Sequence, residues 1–148
     1  MKPNSEAPPE LLFDNQICFP LYSAANAIVR AYRPLLDQLD LTYLQYMVLM
    51  VLWQESCLNV KELGQRLRLD SGTLTPLLKR LEAKGFVERT RSEVDERMRM
   101  ISITKAGRAL QSKARDIPHQ LACTIGLSAA RGEQLKKLCE QLLLALES

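Results

Sequence analysis

The sequence predicts a mainly α fold with a small β-wing, a winged helix-turn-helix domain flanked by N- and C-terminal dimerisation helices. Three observations carry this. Leu74, Leu77, Leu78 and Leu81 recur at i, i+3, i+4 and i+7, one apolar stripe on a helix that Asp70 can cap and Gly85 can close. A shorter amphipathic run with Asn59 as its cap precedes that helix across a turn at residues 69–72, the layout of a helix-turn-helix. Two short extended runs joined by a charged tip follow and read as a β-hairpin, the wing.

Taken in order, the elements fit a single domain over residues 1–148. Residues 1–12, rich in Pro and Glu, read as a mobile tail. They hold no apolar signal-peptide core and nothing approaches a membrane span, so a cytoplasmic location with reduced thiols is expected. Residues 13–57 read as mainly dimerisation helices: one over 19–39, disturbed at Pro34, and one over 42–55 that Thr42 can cap. The apolar run 46–53 is too short to span a bilayer and reads as buried helix. Residues 58–103 form the winged helix-turn-helix. Val60, Leu63 and Leu67 face inward from its first helix, with Leu69 a further candidate. Pro76 is tolerable in the second helix because it falls near the first turns. The wing is expected as 86–91, a tip at 92–96, and 97–103. Residues 104–148 return to dimerisation helices. Thr104 can cap one that runs toward Ile117 before Pro118 interrupts it. Ser128 can start the last, where Leu135, Leu138, Leu142, Leu143 and Leu146 make a broad stripe. Helices at both ends carry more apolar surface than one small winged helix can cover. A homodimer interface is expected, with packing inside one chain as the other reading.

Charge distribution points to a polyanion. The chain is only +3 overall, but residues 61–115 hold 14 Lys and Arg against 7 Asp and Glu, while the remainder holds 6 against 10. Opposite the leucine stripe lie Ser71, Thr73, Thr75, Lys79 and Arg80, hydroxyls and bases suited to phosphates and base edges. The bland alternatives are a solvated surface helix and a chance basic cluster. A two-fold dimer would set two such helices one duplex turn apart, roughly 34 Å, on a near-palindromic site in double-stranded DNA. Four cysteines at 18, 57, 123 and 139 lack metal-ligand spacing, and the single histidine, His119, stands in no paired motif. Neither a metal site nor a cofactor is expected, and a Cys-His or Ser-His catalytic arrangement would rest on His119 alone.

The order helix, helix, helix-turn-helix, wing, long helices resembles the multiple-antibiotic-resistance (MarR) family of dimeric repressors. Asp95-Glu96-Arg97 and Ile103-Thr104 are similar to that family's wing signature, an Asp-x-Arg followed by a strand ending in a hydrophobic-Thr pair. The resemblance covers residues 11–146. Asp14-Asn-Gln-Ile-Cys-Phe19, Ala31-Tyr-Arg-Pro-Leu-Leu36, Leu41-Thr-Tyr43 with Gln45-Tyr46, and Ser71-Gly-Thr-Leu-Thr-Pro-Leu-Leu-Lys-Arg-Leu-Glu82 are similar to the organic hydroperoxide resistance regulators, which are peroxide-sensing repressors. The resemblance implies that Cys18 is the thiol oxidised by an organic hydroperoxide, with release of DNA as the consequence. It implies that Tyr32 and Tyr43 hydrogen-bond that thiol from the partner subunit. It makes Cys123 the resolving cysteine of a two-cysteine type, pairing with Cys18 across the dimer, and Arg97 the wing residue that enters the minor groove. Two positions depart from the family pattern. Pro20 stands where a small helix former is common, so either a different backbone around Cys18 or a late helix start is expected. Arg99 puts a charge in a wing strand, as a phosphate contact or a solvent-facing residue.

Physical reasoning supports parts of that transfer. With a helix beginning near Phe19, Pro20 occupies its first position and Cys18 lies at its N-terminus, where negative charge is stabilised. A thiolate is the species that attacks a peroxide oxygen, and a sulfenic acid is the product. Tyr32 is 14 residues beyond Cys18, roughly 21 Å along a straight helix at about 1.5 Å per residue, so one helix cannot bring them together. An antiparallel neighbour or a broken helix must do so. Tyr22, one turn past Cys18, is a further pocket candidate, with helix packing the alternative. On local sequence alone Cys18 reads as a small buried hydrophobe; the ordered match of Cys18, Tyr32 and Tyr43 favours the sensor. Cys57 is expected exposed and Cys139 in the core. A disulfide needs Cα atoms within about 7 Å, so a larger starting separation would convert oxidation into motion of the recognition helices. Competing functions are a MarR-type repressor released by a small molecule, a thiol peroxidase and, least, a protein-interaction module.

Overall fold

The computed structural model describes residues 7–147, so residues 1–6 of the expected tail lie outside it. Within the rest of that stretch, Pro9–Leu11 and Phe13–Asn15 wind into two 3₁₀ turns where a free tail was expected. The Asn15 side-chain amide donates to the Pro9 carbonyl (2.8 Å) and that of Gln16 to the Glu10 carbonyl (2.9 Å). Phe13 then packs against Phe19, the rings tilted at 55° with centroids 4.4 Å apart, fixing the segment against the start of the first helix.

That helix, α1, runs Cys18–Asp37 and passes through Pro34 without interruption. It starts one residue earlier than expected, which moves Pro20 to the third helical position. No amide within the first turn has an intrahelical acceptor, so proline loses nothing there. Asp40, at φ 56, turns the chain into α2, Tyr43–Glu55. Thr42 and Gln45 form a reciprocal capping box at its start, Gln45 N–H to Thr42 Oγ1 at 3.3 Å and Thr42 N–H to Gln45 Oε1 at 3.0 Å. Asn59 and Glu62 repeat the device at α3, Val60–Leu67 (2.7 and 3.3 Å). Arg68, left-handed at φ 55, ends α3 and pairs with Glu147 at the far end of the chain.

The next helix, α4, spans Ser71–Ala83, capped by Asp70, whose Oδ1 accepts from Thr73 N–H at 2.7 Å. Its end is closed by Gly85 at φ 81: Gly85 N–H bonds Glu82 O (2.9 Å) and Phe86 N–H bonds Leu81 O (3.1 Å), the Schellman pattern. The four leucines of its stripe are all buried. Strands β2 (Val87–Arg91) and β3 (Arg99–Ile103) form the wing, with Val87 opposite Ile103 and Arg91 opposite Arg99. The second wing strand therefore begins at Arg99, and Arg97 belongs to the tip. A further strand that no residue pattern marks, β1, Cys57–Asn59, pairs antiparallel with β3 and makes a three-stranded sheet of order β1-β3-β2.

Thr104 caps α5, Lys105–Ala114; its hydroxyl accepts from Gly107 N–H (3.0 Å) and donates to Gly85 O (2.6 Å), clasping α5 to the end of α4. A Cβ on Gly107 would stand 2.2 Å from the Phe86 carbonyl oxygen, so only glycine permits this approach. The expected run toward Ile117 stops at Ala114. Pro118 interrupts nothing; it sits in the first turn of a further helix, α6, Ile117–Ile125. The last helix, α7, spans Ala129–Glu147, with Ser128 Oγ accepting from Arg131 N–H (3.2 Å).

The core gathers Leu36, Tyr46, Leu49, Leu52, Leu63, Leu74, Leu81 and Ile101 around α2. Trp53 closes one side, its Nε1–H donating to Gly107 O at 3.0 Å. None of α7 is buried in the single chain: Leu135, Leu138, Leu142, Leu143 and Leu146 are 38% to 74% exposed. Cys139, expected in the core, is only half-buried because no residue of its helix is buried in the single chain. Among the described residues no helix is long and apolar enough to cross a membrane.

Candidate nucleic-acid interface and thiol site

The exposed side of α4 carries every hydroxyl and base expected there: Ser71, Thr73, Thr75, Lys79 and Arg80 are all exposed. Helical geometry splits them between two flanks. Ser71, Thr75 and Lys79 look toward the wing and line, with Arg97, a groove of about 1460 Å³ between α3, α4 and the hairpin. Thr73 and Arg80 lie on the other flank, outside that groove. Lys61, Arg68 and Arg89, which the sequence offered only as part of an excess of positive charge, line it as well, together with Gln65 and with Arg99, the wing-strand charge read there as a phosphate contact or a solvent-facing residue.

The wing tip explains why Asp and Arg stand two apart. Asp95 Oδ1 accepts from Arg97 N–H (3.0 Å), Asp95 O accepts from Met98 N–H (2.9 Å), and Ser92 Oγ accepts from Val94 and Asp95 N–H (3.2 and 3.3 Å). Asp95 thus spends its carboxylate on the turn, and Arg97 projects into solvent. Arg89 is held differently. Its Nε and Nη2 donate to Glu82 Oε1 (3.1 and 3.0 Å) and its backbone N–H to Glu82 Oε2 (3.0 Å). These bonds hold the Glu82 carboxyl below the usual range and brace the wing against α4. The Thr73 hydrogen bonds do the same for Asp70 at the start of α4.

Cys18 is the first residue of α1, exposed, in a setting of exposed Ile17, Phe19 and Tyr22. Tyr32 and Tyr43 meet each other, ring centroids 5.0 Å apart, but at the opposite end of α1 from Cys18. Tyr46 joins them, 5.7 Å from Tyr32. In the sequence Tyr46 reads as part of the apolar run and of the motif with Gln45, without a place beside Tyr32; its i, i+3 spacing from Tyr43 is the available signal. Burial, with Tyr43 and Tyr46 alongside, pushes Tyr32 up to about 12, and burial also raises Tyr43 and Tyr46. The phenols are therefore hydrogen-bond donors at neutral pH. Tyr22 stays at the Cys18 end. Cys123 is exposed on α6, its Sγ 3.8 Å from His119 Nε2. Cys57 is exposed on β1 and accepts a bond from Ser102 Oγ (3.2 Å). No cluster of His, Cys, Asp or Glu among the described residues could hold a metal ion.

A link joins the tyrosine cluster to the end of α4. Lys84 Nζ donates to Gln45 Oε1 (3.0 Å) and to the Asp40 carbonyl, with the Asp40 carboxylate 3.7 Å away. Gln45, between Tyr43 and Tyr46, is the one buried polar residue among the described residues.

A family model described as transcriptional regulator SarA/Rot matches residues 30–114. The organic hydroperoxide resistance transcriptional regulator of Bacillus subtilis (strain 168) is 48% identical over 135 residues, 91% of this chain and 90% of that protein. Reduced AbfR bound to DNA, from a protein solved from Staphylococcus epidermidis, superposes with a TM-score of 0.77 at 33% identity, over 91% of this chain and 94% of that one. Disulfide-formed AbfR gives 0.64 at 33% identity, over 88% and 91%.

Fold, groove and relatives together define a winged-helix transcriptional regulator. More narrowly, the chain belongs to the MarR-type family, in the branch of the organic hydroperoxide resistance regulators.

Proposed function

We propose that the chain is a dimeric, redox-responsive repressor that holds a near-palindromic operator when reduced and releases it when an organic hydroperoxide oxidises Cys18. The observation that carries this reading is the position of Cys18, an exposed thiol at the first position of α1, with three phenol donors gathered at that helix's other end. A symmetric partner laying its α1 antiparallel would bring its Tyr32 and Tyr43 to this thiol. The uncovered leucines of α7 support such a partner.

In the reduced dimer Ser71, Thr75 and Lys79 face the major groove with Thr73 and Arg80 on the backbone flank, and Arg97 enters the minor groove. Cys18 thiolate attacks the outer peroxide oxygen, the alcohol leaves and a sulfenic acid remains. Cys123 of the partner subunit then condenses with it, forming a disulfide and water. Drawing α1 and α6 together displaces the α1–α2 turn, and the Lys84 link to Asp40 and Gln45 passes that displacement to α4. The chain matches reduced, DNA-bound AbfR better than disulfide-formed AbfR at equal identity, which supports two subunit shapes, this one on the DNA-binding side. The regulator acts stoichiometrically in the cytoplasm and is not an enzyme.

The test is a gel shift on the DNA upstream of the chain's own gene, with and without cumene hydroperoxide, followed by non-reducing electrophoresis. Release together with an interchain disulfide supports the reading; release by a small organic compound with all thiols reduced favours a ligand-responsive repressor. A cavity of about 520 Å³ lined by Tyr46, Met50, Trp53, Arg108 and Arg115 gives that second reading its footing.

A further inference from the structure

His119 and Cys123 are one helical turn apart on α6, on the face opposite the buried Ile117 and Leu121. Their side chains meet, Nε2 to Sγ at 3.8 Å, and both are exposed in the single chain. This is the chain's only imidazole, and it stands beside one of four thiols. Cys18 has no such neighbour within α1, where the first turn holds Phe19, Pro20 and Leu21. The two thiols are thus placed for different steps. Cys18 stands exposed at the first position of α1, open to a peroxide. Cys123 sits at a proton acceptor, suited to a thiol that must give up its proton on demand.

We infer that His119 is the proton carrier of the resolving step. The inference rests on the pairing of Cys18 with Cys123 proposed above. His119 Nε2 takes the proton of the Cys123 thiol. The thiolate attacks the sulfenic sulfur on Cys18 of the partner subunit, the new S–S bond forms and the S–O bond breaks. The departing hydroxide takes the proton back from the His119 imidazolium and leaves as water. Over both steps one hydroperoxide is reduced to its alcohol, two thiols are oxidised to one disulfide, and the imidazole is returned unchanged. A resolving thiol that is activated locally outpaces attack by a second peroxide on the sulfenic acid. His119 therefore also protects Cys18 from irreversible oxidation to the sulfinic state.

The test uses the full-length reduced protein and peptide-resolved mass spectrometry. His119 is exposed, so His119→Gln and His119→Ala leave the core untouched; circular dichroism checks this. Alkylation of Cys123 by iodoacetamide is expected to slow on the order of a hundredfold in both variants, the lower end of general-base assistance. Disulfide formation after one equivalent of cumene hydroperoxide should slow in parallel, with sulfinic Cys18 accumulating. Added imidazole should restore both rates in His119→Ala, which a purely structural role would not allow. Unchanged alkylation, or slowing that imidazole does not relieve, overturns the proton-carrier role. Slow, imidazole-rescued alkylation with no Cys18–Cys123 disulfide in the wild-type protein overturns the pairing and leaves the His119–Cys123 couple standing.

Discussion

Replacing Arg97 with Gln removes a guanidinium that the wing tip holds out to solvent while Asp95 is committed to the turn. No carboxylate bridges it among the described residues, so its charge is free for the nucleic acid. Each phosphate neutralised contributes about 0.9 to the slope of log K against log salt concentration. A two-fold dimer loses two such charges, and the slope should fall by about 1.8. Between roughly 50 and 200 mM salt the variant would then lose about twelvefold less affinity than the wild type over the same range. Fluorescence anisotropy with a labelled operator, titrated across that range, measures it. Arg89→Gln is the internal control. Arg89 lines the same groove but is bound on two sides to Glu82, so it seats against no phosphate and its loss should leave the slope nearly unchanged. Equal slopes for wild type and Arg97→Gln, or an equal fall for Arg89→Gln, would refute the reasoning from partners to contacts.

Three further perturbations separate fold, link and pocket. Gly107→Ala forces a methyl carbon to within 2.2 Å of the Phe86 carbonyl, and the overpacking should cost about 1–3 kcal/mol, read as a lower urea midpoint at unchanged m-value. Lys84→Met breaks the tie to Gln45 and Asp40 yet leaves Gln45 Oε1 its Thr42 partner. Reduced operator binding should therefore persist while oxidation releases DNA less completely, seen as a smaller ratio of oxidised to reduced Kd. Tyr32, raised from 10.0 to about 12 in the folded chain, stays protonated where the unfolded chain ionises. Unfolding then releases a proton, so stability falls as pH rises from 10.0 toward about 12. Urea midpoints that do not fall through that interval, or that fall just as far in Tyr32→Phe, would contradict the burial of this phenol.

Much of the frame was legible because caps and stripes are local. Thr42, Asn59, Asp70 and Thr104 each cap the helix expected of them, since one side-chain oxygen and a nearby amide decide the matter within four residues. What failed was non-local or ambiguous in sign. Three residues of β1 carry no periodicity, and they become a strand only because β3 offers an edge. Pro118 fits the end of one helix as well as the beginning of the next; reading it as an end hid α6 and with it the approach of His119 to Cys123. Tyr46 belongs to the apolar run and to the Gln45-Tyr46 motif in the sequence, but its approach to Tyr32 on another helix is non-local and has no mark there. Cys139 was misplaced because the leucine stripe beside it awaits a surface that one chain does not supply.

The central claim is that the oxidation state of Cys18 sets the grip on DNA. Its most direct measurement follows both quantities in one sample: the fraction of Cys18 oxidised, by intact mass after quenching, and the fraction of operator released, by anisotropy, at increasing cumene hydroperoxide. The two curves should coincide for the wild type, and Cys18→Ser should bind equally well when reduced and release nothing. Release from Cys18→Ser, or retention of the operator by a dimer whose Cys18 is fully oxidised, would contradict the account.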